Sequence, residues 1–287
     1  MFVISQDAHL LLQGWAKIHG LAVPPEVGLV SEELTSYLRK IFPSVEMVFA
    51  DELQNGMNRL VSATGLIPVS LDRVYFQSKL HLDVTRAVDE YGDDAGVVAR
   101  HGFKPLSEQV SDLKINLQGQ HEVVLVDDVI FSGGLLLELI GLLKTQGVDV
   151  PVVVAGVAIG EGIDVLKSCG IEVHAVRVFS TVIDEICERD FLPGVPLSGR
   201  TVAGIGKEGA PYILPFGRPQ AWASIPEVWE HEFSKFCLNL AANVFDLVGQ
   251  ASGRQILPQD LERCPIGIDR SDQRSFADIL RIMAARL

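Results

Sequence analysis

Cysteine is scarce in this chain of 287 residues. The four present, Cys169, Cys187, Cys237 and Cys264, show no Cys-x-x-Cys or Cys-x-x-His spacing. That excludes a disulfide framework and a thiolate zinc site, and it fits reduced thiols in a cytoplasmic protein. Basic residues are also short, 24 Lys and Arg against 37 Asp and Glu, which leaves a formal net charge of −13. A nucleic-acid backbone would meet a repulsive surface, so no nucleic-acid partner is expected. Glu138, Lys144 and Glu161 interrupt the most apolar stretches before they reach the ~20 residues of a spanning helix, so no membrane partner is expected either. The opening segment carries Asp7 and His9 and lacks a basic stretch followed by an apolar one, unlike a signal peptide. Repeats and low-complexity blocks are absent.

What is present is core-forming material. Apolar residues make up 48% and charged residues 21%, enough for one large α/β domain or a core domain with an appendage. Ser31-Glu-Glu-Leu predicts a helix start, with acids where the helix dipole favours them, and Pro43 ends that helix. Residues 45–50 read as a strand, 51–55 as a loop, 56–64 as a helix and 74–77 as a further strand. Between 79 and 120 the pattern weakens into short strands and a mobile excursion. The middle is clearest: an apolar strand at 123–126, a helix at 135–146, a strand at 151–159, a short helix at 162–168 and a strand at 171–179. Alternation of this kind, with glycine-bearing crossovers, predicts a doubly wound parallel sheet. Beyond Ser180 the Pro/Gly-rich runs RDFLPGVPLSGR and GAPYILPFGRP predict ordered loops. A capping-box spacing at Ser224 to Glu227 then predicts a helix to about Val248, and a last helix is expected near 272–286. The expected organisation is an N-terminal helical extension (1–44), a core (45–180) and a loop-rich, helical hood (181–287).

One run carries chemistry: Val123-Val-Leu-Val-Asp127-Asp128-Val-Ile-Phe131-Ser132-Gly133-Gly134-Leu135. It puts two adjacent acids at the carboxyl end of a buried parallel strand, where open α/β sheets bind ligands. A hydroxyl and two glycines follow and enter a helix, whose first N–H groups and dipole favour a phosphate. Adjacent acids after a strand also occur in phosphoacceptor domains and metal hydrolases. The following Ser-Gly-Gly distinguishes this run from those.

The run resembles the phosphoribosyl-diphosphate (PRPP) motif of the type I phosphoribosyltransferases: four apolar residues, two acids, a short variable stretch, then Thr/Ser-Gly-Gly. The resemblance extends more loosely over about 45–179. It implies that Asp127 and Asp128 contact the ribose hydroxyls and that Ser132, Gly133, Gly134 and the Leu135 amide hold the 5-phosphate. It also implies that Phe131, Gly160 and Glu161 border the acceptor. Mg²⁺ is the implied cofactor. It is carried largely by substrate oxygens, so no metal ligand is assigned to the chain. Lys79 is the chosen cation of the mobile segment that closes over pyrophosphate in the family, ahead of Arg86, Arg100 and Lys104. Together with Asp127 and Asp128 it makes up the expected catalytic set. PRPP and a small acceptor are the expected partners, and a homodimer the expected assembly.

The sequence departs from the family at three places. Leu135 stands where Thr is usual, and Phe131 where an acid can act as a base. Asp51 to Asn55 occupies the place given to the glycine-rich pyrophosphate loop. Two readings stay open: an enzyme that transfers 5-phosphoribosyl with release of pyrophosphate, and a non-catalytic PRPP- or nucleotide-binding regulator. A third, a metal-dependent phosphohydrolase, needs more converging acids than the sequence assigns. Arg200 and Arg218 lie in the Pro/Gly-rich runs, where they either bind an acidic acceptor or decorate an ordered loop. His81, His101 and His174 lack metal-ligand spacing and read as structural.

Overall fold

The structure is a computed structural model, and it describes residues 1–204 and 206–287. The chain forms two compact units. The first comprises Met1–Met47, Arg86–Gly96 and Ile183–Leu287, and the second Val48–Thr85 and Val97–Val182.

The second unit contains a five-stranded, wholly parallel sheet. Across the sheet the strands run Leu80–His81, Ile67–Ser70, Glu122–Ile130, Asp149–Ile159 and Glu172–Phe179. Val, Ile, Leu and Ala fill the three inner strands because both faces are covered. On one face, Val123, Leu125, Val153 and Ala155 pack with Leu136, Leu139 and Leu143 of helix Gly134–Thr145 and with Leu166 of helix Gly160–Ser168. On the other lies helix Ala50–Thr64: a methyl at Gly156 would meet Leu53 at 3.2 Å and the Met57 sulfur at 3.4 Å. The α/β class and the parallel sheet with helices on both faces are therefore as expected.

Several element boundaries differ from expectation, for identifiable reasons. Residues 51–55 are not a loop but the first turns of the continuous helix Ala50–Thr64, where Asp51 and Glu52 complement the dipole. Gly56 lies inside that helix because a Cβ there would fall 2.5 Å from Val176 Cγ1 on the facing strand. The strand expected at 74–77 is instead Ile67–Ser70. Asp72 takes the N–H groups of Val74, Tyr75 and Phe76, which a ladder would need, and residues 71–79 form an irregular loop. The weak region holds the helix Leu106–Asn116 as well as short strands. Helix Gly160–Ser168 begins two residues earlier than expected.

The first unit draws on both ends of the chain. Its core joins Phe2, Ile4 and Leu12 with Phe191, Phe233, Phe245 and Phe276. Strand Phe2–Ser5 pairs in parallel with Asp184–Cys187 in a three-stranded sheet that also contains Val45–Val48. The long helix is Glu230–Ser252; it does not start at Ser224, which adopts a left-handed conformation (φ 50°) and donates its hydroxyl to Asp184. Of the apolar residues at three-to-four spacing expected to be buried, Phe233, Leu240 and Val244 are buried, while Trp229, which precedes the helix, and Phe236 and Leu247 are half-buried. The last helix, Phe276–Ala284, is capped by Ser275, whose hydroxyl oxygen accepts from Asp278 N–H.

Candidate functional site

The order of strands in the parallel sheet reverses between Ile67–Ser70 and Glu122–Ile130. From the first the chain moves outward to Leu80–His81; from the second it moves the opposite way. Loops at the carboxyl ends of two such strands diverge and leave a crevice, the preferred ligand position in open α/β sheets. Here those loops are 71–79 and 131–133.

The pairing register fixes where the acids stand. Ser70 is the last residue of its strand and pairs with Val126; Leu71 N–H still donates to the Val126 carbonyl at 2.8 Å. Beyond that step the motif strand continues along its other neighbour alone, with Asp127 opposite Ala155 and Val129 opposite Val157. Asp127 and Asp128 thus lie within the strand, not after it, beside the start of loop 71–79. Both are half-buried. Asp127 accepts from Asp128 N–H at 3.0 Å, and Asp128 accepts from Val129 N–H at 2.9 Å.

The sequence reading missed a third acid in this crevice, Asp72. It is buried, and its carboxylate accepts from three backbone N–H groups, Val74, Tyr75 and Phe76, at 2.6–2.7 Å. Burial, followed by the charge of Asp128, still pushes its pKa up to about 6 against those hydrogen bonds. Asp127 is raised well above the usual carboxylate range by burial, then by Asp128 and Asp72. Three like charges in mutual reach disfavour full ionisation until a cation or hydroxyl donors arrive. The only sequence signal was an acid two residues after a short strand, indistinguishable from a turn-forming Asp.

The glycine turn follows. Gly133 has φ +78°, a conformation that favours glycine, and it precedes helix Gly134–Thr145, whose first N–H groups open toward the loop. Ser132 and Leu135 are half-buried at the start of this helix, while Gly134 is exposed and a methyl there would meet only Ser132 Oγ, at 3.8 Å. The turn is braced from the next crossover: a methyl at Gly162 would lie 2.4 Å from the Phe131 carbonyl oxygen. The structure therefore brings the Phe131 turn and the Gly160-Glu161-Gly162 turn into contact. Phe131 itself is 37% exposed and Glu161 is exposed.

Lys79 is not drawn into the acid cluster. It is exposed at the far end of loop 71–79, one residue before the edge strand, and pairs with no acid among the described residues. Arg73 in that loop is bound bidentately by Asp83, at 2.8 and 2.6 Å, and Lys104 is tied to Asp112. Asp51 to Asn55, given the place of the pyrophosphate loop, belong to the helix that precedes the Ile67–Ser70 strand. The loop that faces the motif is 71–79. Among the described residues, no three His, Cys, Asp or Glu side chains are arranged to hold a metal ion, and no helix is long and apolar enough to cross a membrane.

No family model matches this chain, and no curated protein matches it. Among solved structures it is similar to orotate phosphoribosyltransferase from Aeropyrum pernix, at 16% identity over 44% of this chain and 68% of that one, with a TM-score of 0.26. A protein from Thermus thermophilus matches at 17% identity over 45% and 83% of the two chains, with a TM-score of 0.28. A phosphoribosyltransferase from Corynebacterium diphtheriae matches at 14% identity over 54% and 95%, with a TM-score of 0.27.

Proposed function

We propose that this protein is a phosphoribosyltransferase that moves 5-phosphoribosyl from PRPP to a nitrogenous acceptor and releases pyrophosphate. The observation that carries the reading is the placement of Asp127 and Asp128 at the strand-order reversal, directly before a Ser-Gly-Gly turn that opens a helix. A ribose 5-phosphate fits such an arrangement: carboxylates accept from its hydroxyls, and helix N–H groups donate to its phosphate. The donor set also suits Mg²⁺. Asp127 and Asp128 offer hard carboxylate oxygens, a cation would offset the like charges that raise the Asp127 pKa, and substrate oxygens would complete its shell. Bound there, Mg²⁺ would supply charge neutralisation for departing pyrophosphate. The chain's own tasks are to orient the ribose through Asp127 and Asp128, to fix the phosphate on the turn at 132–135, and to narrow the acceptor side with Phe131, Gly160 and Glu161. In this reading Lys79 swings in to meet the leaving group. The protein works as a homodimer in the cytoplasm.

One observation favours a second reading, a non-catalytic PRPP- or nucleotide-binding regulator. Three backbone donors of the loop facing the motif, the N–H groups of Val74, Tyr75 and Phe76, are already bonded to Asp72. Pyrophosphate would have to displace that carboxylate to use those three donors.

The two readings part in a pyrophosphate-release assay with PRPP, Mg²⁺ and a panel of bases and small amines, run on the wild type and Lys79→Ala. Release by the wild type with any acceptor, sharply reduced in Lys79→Ala while product affinity changes little, is expected of the enzyme. No release despite saturable PRPP binding makes the regulator the better reading. No thermal stabilisation by millimolar PRPP or a nucleoside 5-monophosphate with Mg²⁺ sinks both. At ~100 times its dissociation constant, a ligand should add about 2.7 kcal/mol.

A further inference from the structure

In a chain with a net charge of −13, the Tyr212 phenol in the first unit lies within electrostatic reach of three guanidiniums, Arg200, Arg263 and Arg189, and of one carboxylate, Asp190. Two of the guanidiniums are committed. Arg189 is ion-paired with the fully buried Asp7. Arg263 donates to the Thr201 hydroxyl at 3.1 Å and to the carbonyls of Ser198 and Gly199. It is seated so closely that a methyl at Gly209 would fall 2.6 Å from Arg263 Nε.

Arg200 differs from both. It is half-buried on the short strand Arg200–Val202, with its guanidinium carbon 5.3 Å from the centre of the Tyr212 ring. Among the described residues no carboxylate, carbonyl or hydroxyl accepts from it. A guanidinium has five N–H donors, and partial burial without an acceptor forfeits hydration that nothing in the chain returns.

The platform under it is fixed. The Tyr212 ring packs on Trp222 with centroids 4.2 Å apart, and Trp222 Nε1–H donates to the Tyr212 carbonyl. Gly217 approaches Tyr212 so closely that a Cβ there would lie 2.6 Å from its backbone carbon. Arg200 pairs with Ala210 across an antiparallel ladder, and Gly199 before it leaves no room for a side chain, since a Cβ would meet the Ala210 carbonyl oxygen at 2.2 Å. The guanidinium is thus preorganised over an aromatic face, and Arg263 acts on the same Tyr212 phenol.

We propose that Arg200, carried on Tyr212, is an anion subsite that takes a carboxylate or phosphate group of a small molecule. A forked guanidinium matches either oxyanion with two parallel hydrogen bonds, and the neighbouring guanidiniums offset the repulsion of an acidic protein. The subsite lies wholly in the first unit and does not depend on the phosphoribosyl reading.

The test titrates the full chain with succinate and with inorganic phosphate at constant ionic strength, using chloride as the control. Calorimetry gives affinity, and tryptophan emission gives a local signal because Trp222 lies under Tyr212. Saturable binding of either anion is expected, weakened at least tenfold in Arg200→Gln and unchanged in Arg218→Gln, whose guanidinium is exposed. Succinate alone identifies a carboxylate ligand, and phosphate alone a phosphate. Should Arg200→Gln fold poorly by circular dichroism, Arg200→Lys keeps the charge and loses the fork, and the same loss is expected. No saturable binding by the folded wild type overturns the proposal, as does binding that survives both Arg200 variants. Phosphate binding that is kept in Arg200→Gln and displaced by a nucleoside 5-monophosphate belongs to the crevice site and counts against this one.

Discussion

Asp127, Asp128 and Asp72 are costly residues to hold together. Each carboxylate is wholly or partly withdrawn from water; Asp128 raises the proton affinity of both Asp72 and Asp127, and Asp72 that of Asp127. A ligand-free fold gains nothing from such crowding, which is the usual mark of groups kept for binding or catalysis. Asp127→Asn and Asp128→Asn are therefore expected to leave the melting temperature of the ligand-free protein unchanged or higher. They should weaken nucleotide binding by tenfold or more, since a hydroxyl–carboxylate hydrogen bond is worth roughly 1.5–3 kcal/mol. Calorimetry and thermal melts on the same samples check both halves. Variants that melt lower and bind normally would make the acids structural. Asp127 and Asp128 were legible in the sequence because a continuous apolar strand and a Ser-Gly-Gly turn frame them. Asp72 was not, because nothing in its neighbourhood shows that residues 71–79 end up opposite the motif.

Among the elements, the motif turn depends on the crossover beside it. The first residues of helix Gly160–Ser168 pass under the Phe131 carbonyl, an approach that only glycine permits at position 162. Gly162→Ala should push the turn out of place and cost about 1–3 kcal/mol, the usual range for overpacking. Nucleotide affinity should fall with it. Gly141→Ala is the control: it lies in helix Gly134–Thr145 with nothing within 4 Å of its Cβ position. That substitution should stabilise by about 0.5–1 kcal/mol through helix propensity alone. Urea denaturation of the two variants tests the pair, and equal effects would refute the bracing role. The same contrast explains why residues 51–55 were misread. Gly56 signals a turn when read locally, but its absent side chain serves a helix–strand contact with Val176.

At the scale of the molecule, the first unit closes over buried acids. Asp7 is fully buried, accepts from Arg189 N–H and is ion-paired with the Arg189 guanidinium. Glu188, also buried, accepts from Asp7 N–H, Ala8 N–H and the Ser31 hydroxyl and so anchors helix Ala8–His19. Burial pushes the Asp7 pKa up to about 7, against the lowering effect of Arg189. Glu188 is raised as well, again by burial. The folded state then holds protons that the unfolded chain releases near pH 4, so the stability these groups contribute is fully present below that value and is lost as pH rises through about 7. Melting temperature should fall between pH 5 and 8, and Asp7→Asn should flatten that fall. A melting temperature that rises over this range would mean that Asp7 is ionised throughout.

The sequence by itself determined the parts whose signals are local. A run of four apolar residues makes a strand buried on both faces, Gly133 makes the turn, and the alternation from 122 to 179 makes a parallel sheet, because strand and helix periods are written residue by residue. Tertiary structure decided what depends on partners distant in the chain. Residues 74–76 are apolar enough for a strand, yet Asp72 captures the N–H groups of Val74, Tyr75 and Phe76. Ser224 has the spacing of a helix cap, yet bonds to Asp184, 40 residues away. Both chain ends enter one core because the apolar faces of the strand Phe2–Ser5 and the helix Glu230–Ser252 are each too large to leave in water, and only the folded chain shows which surfaces cover them.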